Sequence, residues 1–310
     1  MEDKKSTFGN LQSDEIDIGN IFEVIWKEKI KLSFITGLFA LGSVFFALSL
    51  PNIYTSNAIL APANSKGSMS SQLSGMSSIA GLAGINIPMD NSANKSIEAI
   101  ERIKSYEFFV TSFLPYIKLE DLIAVKHWDP QTNIFEYENI YDSKTGMWKK
   151  NSTYKDGKPS SQEAFKTYIK NIELITTKKN SFLRISLSHQ SPITSKKWLD
   201  LIIKNINKVM QDEDKKLLQD SVKFLSKISE QNNLNAVDKA INNLLESQIQ
   251  NLMLATSNPD YVYKILNSPI SPEEKSSPQR SIICIVGTFI GFVLGIFTIL
   301  LSNFRKNISD

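Results

Sequence analysis

The chain has 310 residues, a small basic excess of +3, two histidines and one cysteine, Cys284. That composition excludes a disulfide framework and cysteine-based metal clusters, and so mild a charge is no nucleic-acid footprint. Residues 1–31 form a polar lead that ends in Lys27, Lys29 and Lys31. No charged residue then occurs until Lys66, and residues 32–50 are almost wholly apolar. A helix rises about 1.5 Å per residue and a bilayer core is about 30 Å thick, so roughly 20 apolar residues span it. The run is longer than a signal-peptide core, and no small-x-small cleavage site follows closely, so it reads as a retained transmembrane helix.

Residues 52–62 alternate around Tyr54, Ser56, Ala58 and Leu60 and predict a strand. Residues 63–94 are rich in Ser, Gly, Ala and Met, which fits a loop or a small-residue helix. Residues 96–114 carry apolar positions at Ile97, Ile100, Ile103, Phe108 and Phe109, predicting a helix capped by Ser96. The stretch 127–160 is aromatic and turn-rich, with packing or stacking on sugar rings as its two readings. Residues 162–171 read as helical, and 172–176 with 182–188 as a hairpin turning at Asn180. After Pro192, apolar residues recur at steps of three, four and seven from Trp198 to Ile228, an amphipathic helix of about 37 residues or about 55 Å. A second periodic stretch starts near Asn235. Residues 231–235 are a break, a turn or a weak patch in one long helix over about 194–254. So long an apolar stripe needs a return segment or neighbouring subunits, which favours oligomerisation. Residues 261–266 alternate again and are natural sheet partners for the strand at 52–62, because both adjoin a span.

A proline pattern follows: Pro269 and Pro272, then Ser277, Pro278 and Arg280. Proline fixes φ and removes a donor, so this is a stiff extended connector. It feeds a second uncharged run, 281–301, in which Gly287, Gly291 and Gly295 stand four apart and form a ridge for close helix packing. Its partner is another copy, the first span or a different membrane protein. Arg305 and Lys306 follow. With Lys27, Lys29 and Lys31 they put both termini in the cytoplasm, which leaves 51–280 outside, with 28 basic against 24 acidic residues.

The spacing of the prolines and serine, with a basic residue and a glycine-bearing span, resembles the polysaccharide co-polymerases, the Wzz-type chain-length determinants. Ile16-Asp17-Ile18 with Phe22, Trp26 and Lys27 is similar to the family segment before the first span. Residues 54–62, 73–88 and 261–269 resemble its first strand, its Ser/Gly/Leu stretch and the strand entering the proline motif. Gln279 departs from the pattern by standing where a basic residue is frequent, and the glycines form a plain ladder rather than a denser cluster.

The resemblance implies an α+β fold: two transmembrane helices flank a periplasmic domain with a membrane-proximal mixed sheet and a long helical arm. The expected divisions are a cytoplasmic segment 1–31, a span 32–50, a periplasmic domain 51–280, a span 281–301 and a cytoplasmic tail 302–310. It also implies a ring of identical subunits in the bacterial inner membrane. The ring would set the chain length of O-antigen or a related polysaccharide together with a membrane polymerase and the growing glycan. The rival reading is a membrane adaptor for a separate tyrosine kinase in exopolysaccharide or capsule export. No phosphate loop or G-x-S-x-G motif is present, so no catalytic residue, cofactor or metal site is expected. His127 and His189 read as structural. Asp212-Glu213-Asp214, followed by Lys215 and Lys216, reads as a solvated helix face with local ion pairs.

Overall fold

The computed structural model describes residues 18–63, 91–149, 154, 157–177, 182–231 and 235–309. The readings placed on 64–90, on the turn at Asn180 and on residues 232–234 lie outside them. The chain divides into a helical unit, residues 1–50 with 278–310, and an outer unit, residues 51–277.

Helices α1 (Ile18–Lys27) and α2 (Lys29–Ser49) lead into strand β1 (Tyr54–Pro62). The alternation expected of β1 is present, since Ser56, Ala58 and Leu60 are buried in turn. Helix α3 (Asn91–Ile103) follows, burying Ala99 and Ile103 on one face. The single helix expected over 96–114 is interrupted. Ser105 is extended and its hydroxyl accepts the Phe108 N–H, which starts a new helical turn. That turn runs through a π segment, Phe109–Phe113, and a closing 3-10 turn, Leu114–Tyr116. Ser96 is no cap. It lies inside α3, and its carbonyl accepts the Tyr263 hydroxyl at 2.7 Å.

Next come α4 (Leu119–Ile123), the pair β2 (Val125–Asp129) and β3 (Ile134–Tyr137), and the short pair β4 (Tyr141–Asp142) and β5 (Met147–Trp148). Helix α5 (Ser161–Asn171) opens with a capping box: the Ser160 hydroxyl accepts Glu163 N–H, and the Glu163 carboxylate accepts Ser160 N–H. It runs directly into β6 (Ile172–Thr176), which forms the expected hairpin with β7 (Leu183–His189).

Helices α6 (Pro192–Gln231) and α7 (Asn235–Ser257), strand β8 (Tyr263–Asn267) and helix α8 (Arg280–Ser309) complete the chain. The main sheet has the order β6-β7-β1-β8. Every pairing in it is antiparallel, whereas a mixed sheet was expected. The reason is local. Strands β6 and β7 are a hairpin, and β1 leaves the start of the outer unit while β8 returns to its end.

The core lies between this sheet, the first half of α6 and the 109–113 turn. Phe113 meets Trp198 edge-on at 5.7 Å, and Phe109 lies 5.1 Å from Tyr168. The Tyr168 hydroxyl donates to the Ile103 carbonyl. Each such fully buried aromatic contributes about 1.5–3 kcal/mol through lost apolar surface.

Leu199, Ile202, Ile203, Ile206 and Met210 bury α6 against the core, and beyond Gln211 the helix is mostly exposed. The Gln211 amide donates to the carbonyls of Ala255 at 2.6 Å and Asn258 at 3.0 Å. That contact sets the end of α7 beside the middle of α6. The single long helix over 194–254 is therefore replaced by two antiparallel helices, each covering part of the other's stripe.

In the helical unit, α2 and α8 pack along their length. Both are long and apolar enough to cross a bilayer, over Lys29–Ser49 and Arg280–Asn303. Their outward faces carry Phe34 (74% exposed), Phe45 (73%), Ile285 (68%) and Phe289 (65%). A contiguous apolar face of that extent marks a surface for contact with lipid or protein.

Candidate functional site

The proline connector is fixed at both of its ends. Pro269 is buried, and the Ser56 hydroxyl donates to the Ile270 carbonyl at 2.8 Å. Farther on, Ile53 N–H donates to Ser277 O at 2.9 Å, and Ser276 N–H returns to Ile53 O at 2.8 Å. The Ser276 and Thr55 hydroxyls lie 2.7 Å apart, and Thr55 meets Ser188 at 2.9 Å. The two ends of the outer unit are thus joined in one antiparallel bridge. Ser277 belongs to it through its backbone, and its neighbour Ser276 supplies the side chain. Sequence reasoning missed Thr55 and Ser276 and gave Ser56 only as a strand position, since hydroxyls on two extended segments do not show which of them meet.

Arg280 acts inside the helical unit. Its Nε donates to Ala47 O at 3.0 Å and its Nη2 to Leu50 O at 3.3 Å. These carbonyls end α2, where four acceptors lack a helical partner and the dipole is negative. The guanidinium satisfies two of them. The basic residue of the proline motif is therefore a C-terminal cap for the first span.

The glycine ridge faces that same span. A Cβ placed on Gly287 would lie 2.4 Å from Ser43 Cβ, one on Gly291 2.4 Å from Phe39 Cβ, and one on Gly295 2.7 Å from Leu32 Cδ1. Of the three partners left open by the sequence, the ridge meets the first span of its own chain. Gly37 and Gly42 on α2 have nothing within 4 Å of such a Cβ.

At the N-terminal flank, Lys27 pairs with Glu23 at 2.8 Å and Lys31 with Glu28 at 2.8 Å, while Lys29 Nζ sits 5.1 Å from the Trp26 ring centre. Exposed pairs like these contribute little stability. The side chains of Arg305 and Lys306 lie outside those described.

The acidic run on α6 is tied to α3. Glu213 pairs with Arg102, and Asp214 accepts from Lys95 at 2.6 Å and from the Tyr261 hydroxyl at 2.5 Å. Asn207 was not foreseen. Its side-chain oxygen accepts both the Val262 and Tyr263 N–H groups at 2.9 Å, and its amide donates to Tyr263 O. It serves β8 as another strand would. His189 is buried: Nδ1 accepts Ser191 N–H, Nε2 donates to Asp121 O, and its ring meets Trp198. Burial pushes its pKa below the usual value. No group of three or more His, Cys, Asp or Glu able to hold a metal occurs among the described residues.

The two small strand pairs enclose a groove of about 920 Å³. Its floor carries Tyr137 and Tyr141, ring centres 5.0 Å apart at 70°. Their hydroxyls donate to Asp121 at 2.7 Å and Glu120 at 3.2 Å. Burial holds Asp121 above the ordinary carboxylate range, although the Tyr137 bond pulls the other way. Burial and the Asp121 carboxylate also raise the Tyr137 phenol, so both hydroxyls keep their protons and their rings stay oriented.

Residues 14–108 match the family described as "Wzz: Chain length determinant protein". No curated protein matches the chain in sequence. Among solved structures, it is similar to a "full-length bacterial polysaccharide co-polymerase" at 12% identity and TM-score 0.42, covering 94% of this chain and 99% of that one. It is also similar to a fragment of WzzB, a polysaccharide co-polymerase from Salmonella Typhimurium, at 15% identity and TM-score 0.28, covering 73% and 100%. A variant of the Shigella flexneri lipopolysaccharide O-antigen chain-length regulator aligns at 11% identity and TM-score 0.24, covering 72% and 100%.

Proposed function

We propose that this chain, whose residues 14–108 match the Wzz chain length determinant family, belongs to that family and regulates the length of a surface polysaccharide of the O-antigen type. The observation that carries the reading is that match, which takes in the lead segment from residue 14, the first span, β1 and all of α3. The capped and glycine-packed pair of spans is consistent with it. The protein acts without catalysis of its own, as a homo-oligomeric ring in the bacterial inner membrane beside a membrane polymerase and its growing glycan. Both termini face the cytoplasm and the outer unit faces the periplasm, in keeping with the basic flanks of the two spans. Within the ring, the exposed apolar residues of α6 and α7 meet neighbouring copies, and the lipid-facing sides of the spans meet the polymerase.

The test is deletion of the gene followed by electrophoresis of the surface polysaccharide. The expected result is loss of the preferred length, with shorter or unregulated chains, and its return on complementation. An unaltered distribution of lengths in the deletion strain overturns the reading.

A further inference from the structure

We infer that the groove between the two small strand pairs is a binding site for a short, uncharged stretch of oligosaccharide. The inference deepens the function proposed above and rests on it. It concerns one place on the outer unit, and three observations converge there.

The first is a set of fixed aromatic rings. Tyr137 and Tyr141 are partly exposed, yet their hydroxyls are held by Asp121 and Glu120 beneath. Phe135 continues the series, 6.2 Å from Tyr137 at 51°. Rings of this kind offer apolar faces to the C–H side of a sugar and lose little rotamer freedom on binding, because they are already held.

The second is a rim of polar groups oriented in pairs. Lys126 Nζ donates to Glu136 at 2.9 Å across β2 and β3, and Lys149 Nζ donates to the Asn139 side-chain Oδ1 at 2.5 Å. Asp129 and Asp142 are fixed by backbone N–H groups of their own turns. Each carboxylate and amide keeps lone pairs or protons for a ligand hydroxyl. A floor of aromatic faces ringed by a few oriented polar groups is the usual make-up of a small-ligand site.

The third is charge. The lining has Lys126 and Lys149 against Asp129, Glu136, Glu138 and Asp142. That acidic excess disfavours phosphate, uronate and nucleic acid and leaves neutral sugars as the matched class. The volume, about 920 Å³, lies at the upper end for small-molecule sites and suits several linked sugars better than one.

The test uses the full chain in phosphatidylcholine nanodiscs. It is titrated with oligosaccharides released by mild acid from the producing cells' own surface polysaccharide, and binding is followed by calorimetry and tryptophan fluorescence. The parent is expected to bind saturably. Tyr141→Ala should weaken binding at least tenfold. Asn139→Trp, at an exposed rim position, should do the same by filling the groove, with an unfolding midpoint like the parent's showing that the fold is kept. Tyr116→Ala, which removes an exposed ring outside the groove, should stay within about threefold of the parent. An oligogalacturonide of equal length should bind at least tenfold more weakly. No saturable binding by the parent, parent-like binding by both Tyr141→Ala and Asn139→Trp, or equal binding of the acidic sugar overturns the inference. Glycan lengths in the deletion strain separate the two levels. Unchanged lengths on deletion sink the functional reading, whereas changed lengths restored by a groove variant that binds normally sink the groove alone.

Discussion

Two residues of the outer unit show how a single polar side chain governs its surroundings. Asn207 answers three backbone groups of Val262 and Tyr263 from within the buried stripe of α6. Asn207→Ala leaves buried N–H groups without an acceptor, and the expected cost is about 3 kcal/mol in denaturant unfolding. His189 is needed neutral, because Nδ1 must accept from Ser191. Its folded pKa lies below the unfolded value of about 6.5, so its contribution is full above that value. It is lost as pH falls through 6.5 toward the folded pKa, where only the unfolded chain takes up the proton. The thermal midpoint should therefore drop between pH 7.5 and 5.5, and His189→Gln should flatten the drop. Asp121, with its pKa raised by burial, acts in the opposite sense and at lower pH. The sequence reads His189 as structural but carries no sign of its partners, and Asn207 gives no signal at all. Asn207 reads as a weak spot in an apolar helix because its partners lie 55 and 56 residues away. Ser96 and Ser105 were equally opaque, since either serine suits a helix start and tertiary contacts decide between them.

Among the elements, the most legible were those set by local periodicity. β1, β8, the β6–β7 hairpin and α5 all appear close to where the sequence places them. What periodicity could not supply was direction and interruption. A stripe that repeats through Ile228 and resumes at Val237 fits one rod or two returning helices, and only the Gln211 contact with Ala255 distinguishes them. The ridge of α8 was legible as a packing face, but not which helix it meets. Gly291→Leu drives a side chain into Phe39 and should loosen α2 from α8, overpacking of this kind costing about 1–3 kcal/mol. The expected outcome is altered polysaccharide length with an unchanged circular-dichroism melt of the outer unit. Gly42→Leu meets open space within its own chain, so any comparable defect there would mark a second helix docking on α2. On the arm, Leu217 (66% exposed) and Phe224 (64%) stand seven apart on α6. In the proposed ring they meet a neighbouring copy. Phe224→Asp should reduce chemically cross-linked oligomers several-fold while leaving the unfolding of the monomer within about 0.5 kcal/mol of the parent, as expected for a surface change.

For the whole molecule, the structure groups residues 1–50 with 278–310, so the outer unit ends at 277 where the sequence reading put 280. Uncharged runs at both ends form the helical unit, and the stretch between them forms the outer one. The side of the membrane is the further step. A phosphatase reporter fused after residue 149 should be active and a cytoplasmic reporter at the same place silent, with the purified chain requiring detergent. The reverse pattern would refute the orientation read from Lys27, Lys29, Lys31, Arg305 and Lys306.

The bridge between Ile53 and Ser277 also bears on how freely the outer unit can be handled. Residues paired across an antiparallel ladder sit only about 5 Å apart at their Cα atoms. Topologically the unit is a passenger, entered and left at one point, and adjacent ends are what domain insertion and permutation exploit. Excised at 51 and 277 and closed head-to-tail by a two-residue Asn-Gly turn, it should form a cyclic protein whose fold no longer depends on lipid.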